Sequence, residues 1–297
     1  MKHEPPLNPL QIEWERLAEP QIDQYDTFVA LILAKQAGYV RSEIGNSPTF
    51  FDGRVAIRPD KSLHENNTIQ SIAFKDCVPA DPNHPNVSIA TEFVRLWQPA
   101  FKQFQLIMES VTVVYYICKK EDGFILRANS GYGSKGFGTM IATINDPAGF
   151  AETLVHELAH HKLRAFGVQM EQASRIILNS PAQLFHSPVR YDSLRPMSAV
   201  LHAQYAFTHI SELNIRMINS NIDDEICYET AKESLSVNLP KLDFGLQILK
   251  KDAILDDYGN QFFCGLKRWT ESVFRRGYAI LDRFKIEPQK FIHPLSH

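Results

Sequence analysis

The stretch Phe150-Ala-Glu-Thr-Leu-Val-His-Glu-Leu-Ala-His-His-Lys-Leu163 contains a His-Glu-x-x-His pattern, formed by His156, Glu157 and His160. An α-helix has about 3.6 residues per turn, so side chains four residues apart lie on the same face. Two imidazoles at this spacing can bind one metal ion from a single rigid element. The pattern therefore predicts a metal site on a helix.

The sequence around this motif contains the signals that begin and end a helix. Asn145-Asp146-Pro147 places an Asx residue, a good N-terminal cap, just before the helix, and Pro147 suits the first turn because it needs no backbone hydrogen-bond partner there. Apolar residues then recur at helical spacing, and Gly167 is a typical residue just beyond a helix end. We expect a helix over about residues 147–167, with one apolar side that packs against the rest of the protein.

Composition and charge are those of an ordinary globular protein. The 297 residues are 44% hydrophobic and carry a formal net charge of −3. The sequence contains no block of Lys or Arg, so it does not predict a nucleic-acid surface. It also shows neither a secretory signal nor an apolar run of about eighteen residues. The four cysteines form no Cys-x-x-Cys pair, which favours reduced thiols. We expect a cytoplasmic protein that binds neither nucleic acid nor membrane.

The pattern of short strands and longer helices predicts an α+β fold that is mainly helical. We expect a single α+β domain over residues 1–297, with an N-terminal arm over about residues 1–20 and a metal-site core over residues 140–220. Apolar residues at helical spacing predict helices in segments 22–39, 88–108 with a break near Pro99, 169–178, 197–218 and, as two or three helices, 223–284. The C-terminal half is therefore expected to be helical.

Strand-forming residues precede the motif. Segments 111–118, 123–127 and 138–144 are rich in β-branched or aromatic residues and predict a small antiparallel sheet that leads into the metal-binding helix. The glycine-rich segment 130–138 does not match the spacing of a phosphate-binding loop. We therefore expect a hairpin or a loop at the edge of a substrate site.

A catalytic metal normally needs a third protein ligand. The extended pattern His-Glu-x-x-His-x-x-Gly-x-x-His is absent, because Leu163 and Phe166 occupy the glycine and histidine positions. His202 is the leading candidate, since it lies near the start of a predicted helix that can pack against the first one. His209 and Glu212, further along the same helix, are the alternatives.

Three segments of the chain together resemble a known family. They are His156-Glu-Leu-Ala-His-His-Lys-Leu, Ser187-Pro-Val-Arg-Tyr-Asp-Ser-Leu-Arg-Pro196 and Leu201-His-Ala-Gln-Tyr-Ala-Phe207. They look like the HExxH-motif proteins associated with ribosomally made, modified peptides, a family that includes 2-oxoglutarate-dependent peptide β-hydroxylases. The resemblance covers residues 140–220, about a quarter of the chain.

This resemblance implies an activity and a set of site residues. His156, His160 and His202 would hold Fe(II), and the substrate would be a precursor peptide. An arginine in the loop before His202, either Arg190 or Arg195, would bind the distal carboxylate of 2-oxoglutarate. Such a role fits the chemistry, because a planar guanidinium binds a carboxylate through two parallel hydrogen bonds.

The residues themselves leave three functions open. In a hydroxylase, three protein ligands leave positions for a keto acid and dioxygen, and Glu157 would orient a ligand or the helix. In a zinc metallopeptidase, Glu157 would act as the general base on metal-bound water. The third alternative is a non-catalytic peptide-binding protein with a degenerate site. For the hydroxylase, the peptide is expected to lie along the edge formed by residues 131–144, through backbone pairing.

Overall fold

The computed structural model of the protein describes residues 12–40, 47–58, 74, 76–117, 128–132, 136–189, 193–220 and 224–289. These residues form a mainly helical α+β fold with two sheets, which confirms the predicted fold class. One large hydrophobic cluster includes residues from the helices and from the larger sheet.

A short 3-10 helix, Trp14–Leu17, precedes seven α-helices in the described part of the chain. These are α1 (Tyr25–Gln36), α2 (Pro85–Arg95), α3 (Gln98–Ile107), α4 (Pro147–Ala165), α5 (Met197–Asn219), α6 (Glu225–Asp252) and α7 (Asp257–Phe284). None of the described helices is both long enough and apolar enough to cross a membrane.

Most of the predicted helices are confirmed. The break expected near Pro99 separates α2 from α3, and Pro99 lies in the first turn of α3. The helix predicted over residues 169–178 is wrong, because this segment forms turns and bends after α4. Gly167 has a φ angle of 85° and Glu171 one of 61°, and a right-handed helix cannot continue through left-handed backbone.

The described strands form a larger and a smaller sheet. They are β1 (Thr49–Phe50), β2 (Val55–Arg58), β3 (Cys77–Pro79), β4 (Ser110–Tyr116), β5 (Ser130–Tyr132), β6 (Thr139–Thr143), β7 (Leu184–Phe185) and β8 (Arg195–Pro196). The larger sheet has the order β1-β2-β4-β6-β5, and β3 also pairs with β4. β7 and β8 form the smaller, antiparallel sheet.

The prediction of an antiparallel sheet is wrong in the pairing of its central strands. β4 and β6 are parallel neighbours, with Ser110 opposite Thr139, so the larger sheet is mixed. All five residues of β6 are buried, as is usual for a strand whose two faces are both covered. The predicted strand over residues 123–127 lies outside the described residues. The expected hairpin is present, because β5 pairs antiparallel with β6.

The N-terminal segment is packed as soon as its description begins at residue 12. Trp14 and Leu17 have no exposed surface. A Cβ atom added at Gly265 of α7 would come within 2.1 Å of the carbonyl oxygen of Glu15, so the 3-10 helix lies directly against α7. The predicted arm therefore does not include residues 12–20, because these apolar side chains are part of the core.

Helix α4 is the central element of the fold. Asp146 caps it by accepting a 2.5 Å hydrogen bond from the backbone N–H of Gly149, as the sequence predicts. The helix contacts α1, α2, α3, α5 and α6 as well as strands β5 and β6. Because α4 is held on nearly all sides, the backbone positions of its histidines are fixed.

Candidate metal centre

His156 and His160 turn their ring nitrogens towards each other on one face of α4. Their Nε2 atoms are 2.9 Å apart. Two nitrogens bound to one tetrahedral zinc ion, each at about 2.0–2.1 Å, would be separated by about 3.3 Å. The two imidazoles therefore need only a small movement to share an ion. The ring of His156 also packs edge-on against Phe207 of α5, which limits its rotation.

Glu157 belongs to the same group of donor atoms. One ligand atom from each of His156, Glu157 and His160 lies within 4.8 Å of the others. The Glu157 Oε1 atom accepts a 2.8 Å hydrogen bond from the hydroxyl of Ser130 in β5, and Oε2 has no hydrogen-bond partner among the described residues. Burial raises the pKa of Glu157 to about 7, although the bond from Ser130 acts in the opposite direction.

His202 contacts one of the two motif histidines of α4, His160. Its Nδ1 atom is 2.9 Å from Nδ1 of His160. Its Nε2 atom is 2.9 Å from the carbonyl oxygen of Val168 and must donate there, so its Nδ1 is the nitrogen left to bind a metal.

The three imidazoles stand in a row. His160 directs Nε2 towards His156 and Nδ1 towards His202, whereas one metal ion would need a single nitrogen from each ring. A site with three histidines therefore requires one of these rings to turn. His202 as the third ligand stays a prediction.

Burial keeps the three imidazoles neutral. It lowers the pKa of His156 and of His202 to about 4, and for His202 the bond to the Val168 carbonyl partly opposes this shift. The pKa of His160 is lowered well below its usual value, first by burial and then by the neighbouring histidines. Only neutral imidazole has a lone pair for a metal, so the rings are in the binding form at neutral pH.

The two alternative third ligands are engaged elsewhere. His209 donates through Nδ1 to the carbonyl of Tyr205 at 2.8 Å, and its ring packs against Trp269 with the centroids 4.8 Å apart. Glu212 accepts a 3.0 Å hydrogen bond from Arg276. Neither residue belongs to the metal-donor group found among the described residues.

A small cavity of about 120 Å³ opens beside the histidines. It is well below the roughly 300–1,000 Å³ of sites that take drug-sized ligands, so its size suits a small acid. Glu157 is not among the described residues of its wall and faces β5 instead. The wall consists of His156, His160, Met170, Ser187, Val189, Arg195, Ala199, Ala203 and Phe207.

Arg195 brings a positive charge to this otherwise largely apolar wall. It lies in β8 opposite Phe185 of β7 and immediately before α5, so both the small sheet and the helix fix its backbone. Its side chain pairs with Glu171 and is 24% exposed. The other predicted arginine, Arg190, lies outside the described residues.

The edge of the larger sheet passes beside the metal-donor group. Among the described strands, β5 is the last in the sheet order, and Ser130 at its start donates to Glu157. β6 lies inside the sheet, between β4 and β5, and cannot pair with a peptide. Within the predicted edge 131–144, the described strand that can receive a peptide is therefore β5.

Sequence reasoning missed the side chains of Ser130 and Glu171, which contact Glu157 and Arg195, respectively. The sequence contains no signal for either pairing, because both contacts depend on how separate segments fold together. No protein-family model matches the chain, and a search of curated proteins also found no match.

Proposed function

We propose that this protein is an Fe(II)- and 2-oxoglutarate-dependent hydroxylase that acts on a side-chain carbon of a ribosomally made peptide. One observation carries the proposal. Arg195 lines the same small cavity as His156 and His160. A keto acid with a second carboxylate needs both a metal and a cation within one small volume, whereas hydrolysis by zinc needs no such arginine.

The donor atoms suit Fe(II). His156 and His160 would supply two neutral imidazoles, and the third ligand would be either the carboxylate of Glu157 or, after one ring turns, the imidazole of His202. Three protein ligands leave coordination positions open, which is the arrangement of non-haem iron oxygenases. Bound iron and 2-oxoglutarate would supply the oxidising power needed to hydroxylate an unactivated carbon.

The residues around the cavity support binding of the small acid. Arg195 can hold a carboxylate through two parallel hydrogen bonds, and its low exposure strengthens such a pair. Met170, Val189 and Phe207 give the wall apolar surface that excludes water.

The position of β5 supports a peptide substrate. An extended peptide can add to an exposed strand edge through backbone hydrogen bonds, with its side chains in neighbouring pockets. Because Ser130 of this strand contacts Glu157, a peptide bound there would lie next to the metal-donor group. Recognition through the backbone would leave one side chain free to point towards the metal.

The test uses full-length protein purified without oxygen. Its metal content is measured, and it is then incubated with Fe(II), 2-oxoglutarate and a peptide encoded beside the gene. We expect succinate to form and the peptide to gain the mass of one oxygen atom. Absence of succinate with every peptide and with iron present would contradict the proposal.

An arginine variant makes this test specific. Arg195→Gln should raise the KM for 2-oxoglutarate about tenfold or more, because a charge-assisted pair is lost, while the metal content stays the same. The matched control is Arg268→Gln, since the side chain of Arg268 is 68% exposed and belongs to α7. This control should leave the KM unchanged.

A zinc metallopeptidase is the second candidate, and Glu157 favours it. Its carboxylate lies within the donor group, and a pKa of about 7 is suitable for a general base. This function predicts two cleavage fragments with zinc and without keto acid. It also predicts that Glu157→Gln abolishes cleavage but keeps the metal, whereas a hydroxylase would produce no fragments at all.

A further inference from the structure

Glu171 already pairs with the arginine that lines the candidate cavity. The contact joins Nη2 of Arg195 to Oε1 of Glu171. The side chain of Arg195 is 24% exposed and that of Glu171 is 50% exposed, so the pair lies where the cavity meets solvent. The guanidinium proposed to bind a ligand carboxylate therefore holds a carboxylate of the protein.

The backbone around Glu171 forms a closed loop at the rim of the cavity. The N–H of Arg175 donates to the carbonyl of Gly167 at 3.0 Å, which brings the two ends of the loop together. Met170 lines the cavity, and Glu171 follows it with a φ angle of 61°. This left-handed conformation is uncommon for a residue other than glycine, and such positions cluster at functional sites.

We infer that Glu171 is an internal competitor for the carboxylate subsite at Arg195, and that a small dicarboxylic acid must displace it to bind. The inference depends on the proposed function, because it takes Arg195 as the group that receives the distal carboxylate. Both edges of a guanidinium that bind a carboxylate bidentately, Nη1/Nη2 and Nε/Nη2, include Nη2. Glu171 contacts Nη2 of Arg195, so Glu171 and a ligand in the cavity compete for this nitrogen.

The exchange of Glu171 for the ligand leaves the charge balance at Arg195 unchanged. One carboxylate replaces another, so Arg195 is paired both before and after the ligand binds and never becomes an uncompensated charge at an apolar wall. Glu171 is half exposed, and its carboxylate can return to water at small cost. The apparent Kd of the acid then equals the intrinsic Kd divided by the fraction of molecules in which Arg195 is not held by Glu171.

If Glu171 is a competitor, its removal should change the affinities of different dicarboxylic acids by the same factor. Glu171 competes with the distal carboxylate of the ligand for Arg195 and affects no other part of the ligand. Removal of Glu171 should therefore tighten the binding of 2-oxoglutarate and of glutarate by the same ratio. This holds even though glutarate lacks the keto group. An effect of Glu171 on the metal end of the cavity would change the two affinities by different ratios.

The experiment measures binding without turnover. Full-length protein is loaded with Mn²⁺, and the Kd values of 2-oxoglutarate and glutarate are determined by calorimetry. Glu171→Gln should lower both Kd values by the same factor, about two- to fivefold, as expected for loss of a partly exposed ion pair. Glu229→Gln is the matched control, because Glu229 of α6 pairs with Lys232 and is 60% exposed. It should change neither value.

A double variant shows whether the effect acts through Arg195. In an Arg195→Gln background, Glu171→Gln should give no further gain. Unchanged or higher Kd values in Glu171→Gln, or an equal gain without Arg195, would overturn the inference. If both acids bind to the unmodified protein but Glu171→Gln gives no gain, only the competitor role fails. If glutarate binds more tightly to Glu171→Gln and no succinate is ever formed, only the hydroxylase function fails.

Discussion

Lys162 and Asp26 form an ion pair that is completely buried, with Nζ 2.5 Å from Oδ2 and neither side chain exposed. The pair joins α4, two residues after His160, to α1. Burial alone would lower the pKa of Lys162, but the charge of Asp26 and the contact with Tyr205 outweigh this, so the pKa is raised and the lysine stays charged. The pair therefore helps to fix the position of the helix that carries the metal-donor group.

Replacing Lys162 by methionine should destabilise the protein strongly. The Lys162→Met change leaves Asp26 as a buried charge without its cation, which typically costs about 3–5 kcal/mol. The free energy of unfolding from urea titration measures the loss. The control is Lys267→Met, because the Lys267 side chain is 46% exposed and its contact with Glu271 is long, at 3.9 Å. It should change stability by no more than about 0.5 kcal/mol.

A second substitution tests the cause of that loss. Asp26→Asn removes the remaining charge but keeps an oxygen for the backbone N–H of Gln21, which donates to Asp26 at 3.0 Å. The Lys162→Met/Asp26→Asn protein should therefore be more stable than Lys162→Met alone. A double variant that is no more stable would show that the loss comes from packing rather than from the uncompensated charge.

Metal binding should depend on His156 and His160 most strongly and on His202 as well. His156→Gln and His160→Gln should each lose the bound metal during gel filtration. His202→Gln should weaken metal affinity by more than the roughly 10–100-fold that is usual for a residue supporting a ligand. Metal analysis by mass spectrometry and competition with a chelator measure these effects.

His209→Gln is the control for that series. His209 is also buried in α5, but its ring is held by Tyr205 and Trp269. This variant should keep its metal. Full metal affinity in His202→Gln would exclude His202 as a ligand and leave Glu157 as the third donor.

The parts of the fold and site that sequence reasoning predicted are those determined by local chemistry. Asp146 and Pro147 marked the start of α4 correctly, because capping and the first turn involve only neighbouring residues. The i, i+4 spacing also predicted the approach of His156 to His160. The contact of His202 with His160 followed from the need for a third ligand and from the family resemblance, which supplied the long-range information.

The parts that were not predicted depend on tertiary contacts. Strand propensity identified the residues of β4 and β6, but it carries no information on which strands become neighbours or on their direction. The left-handed φ angle of Glu171 likewise has no local signal, so apolar spacing alone predicted a helix there. The pairing of Lys162 with Asp26 spans 136 residues, and one sequence cannot reveal such a partner.

Gly138 should not tolerate a side chain. Its φ angle is 79°, and an added Cβ atom would be 2.9 Å from the carbonyl oxygen of Ile107. Gly138→Ala should therefore lower the free energy of unfolding by about 1–3 kcal/mol. Gly136→Ala is a matched control, because Gly136 also has a positive φ angle but an added Cβ would meet nothing within 4 Å. The difference between the two variants measures the steric part, and equal losses would contradict the clash.

His161 should make the metal-free protein sensitive to acid. Its Nδ1 accepts a 3.3 Å hydrogen bond from the N–H of Gly138, and its Nε2 donates to the carbonyl of Thr139 at 3.1 Å, so the ring is bound in its neutral form. Burial, and next the charge of Arg164, lower its pKa to about 3, while the bond to Thr139 acts in the opposite direction.

The sign of the pH effect follows from this lowered pKa. The unfolded chain binds a proton at His161 below a pKa of about 6.5, whereas the folded protein does not until about pH 3. The stability supplied by this histidine is therefore complete above pH 6.5 or so and falls by about 1.4 kcal/mol per pH unit as the pH decreases towards 3. Urea unfolding of chelator-treated protein at several pH values gives the total slope, to which the other buried histidines with lowered pKa values also contribute; these are His156, His160, His202 and His209. His161→Gln cannot take up the proton and should reduce the total slope by one proton, so an unchanged slope would rule out a contribution of His161.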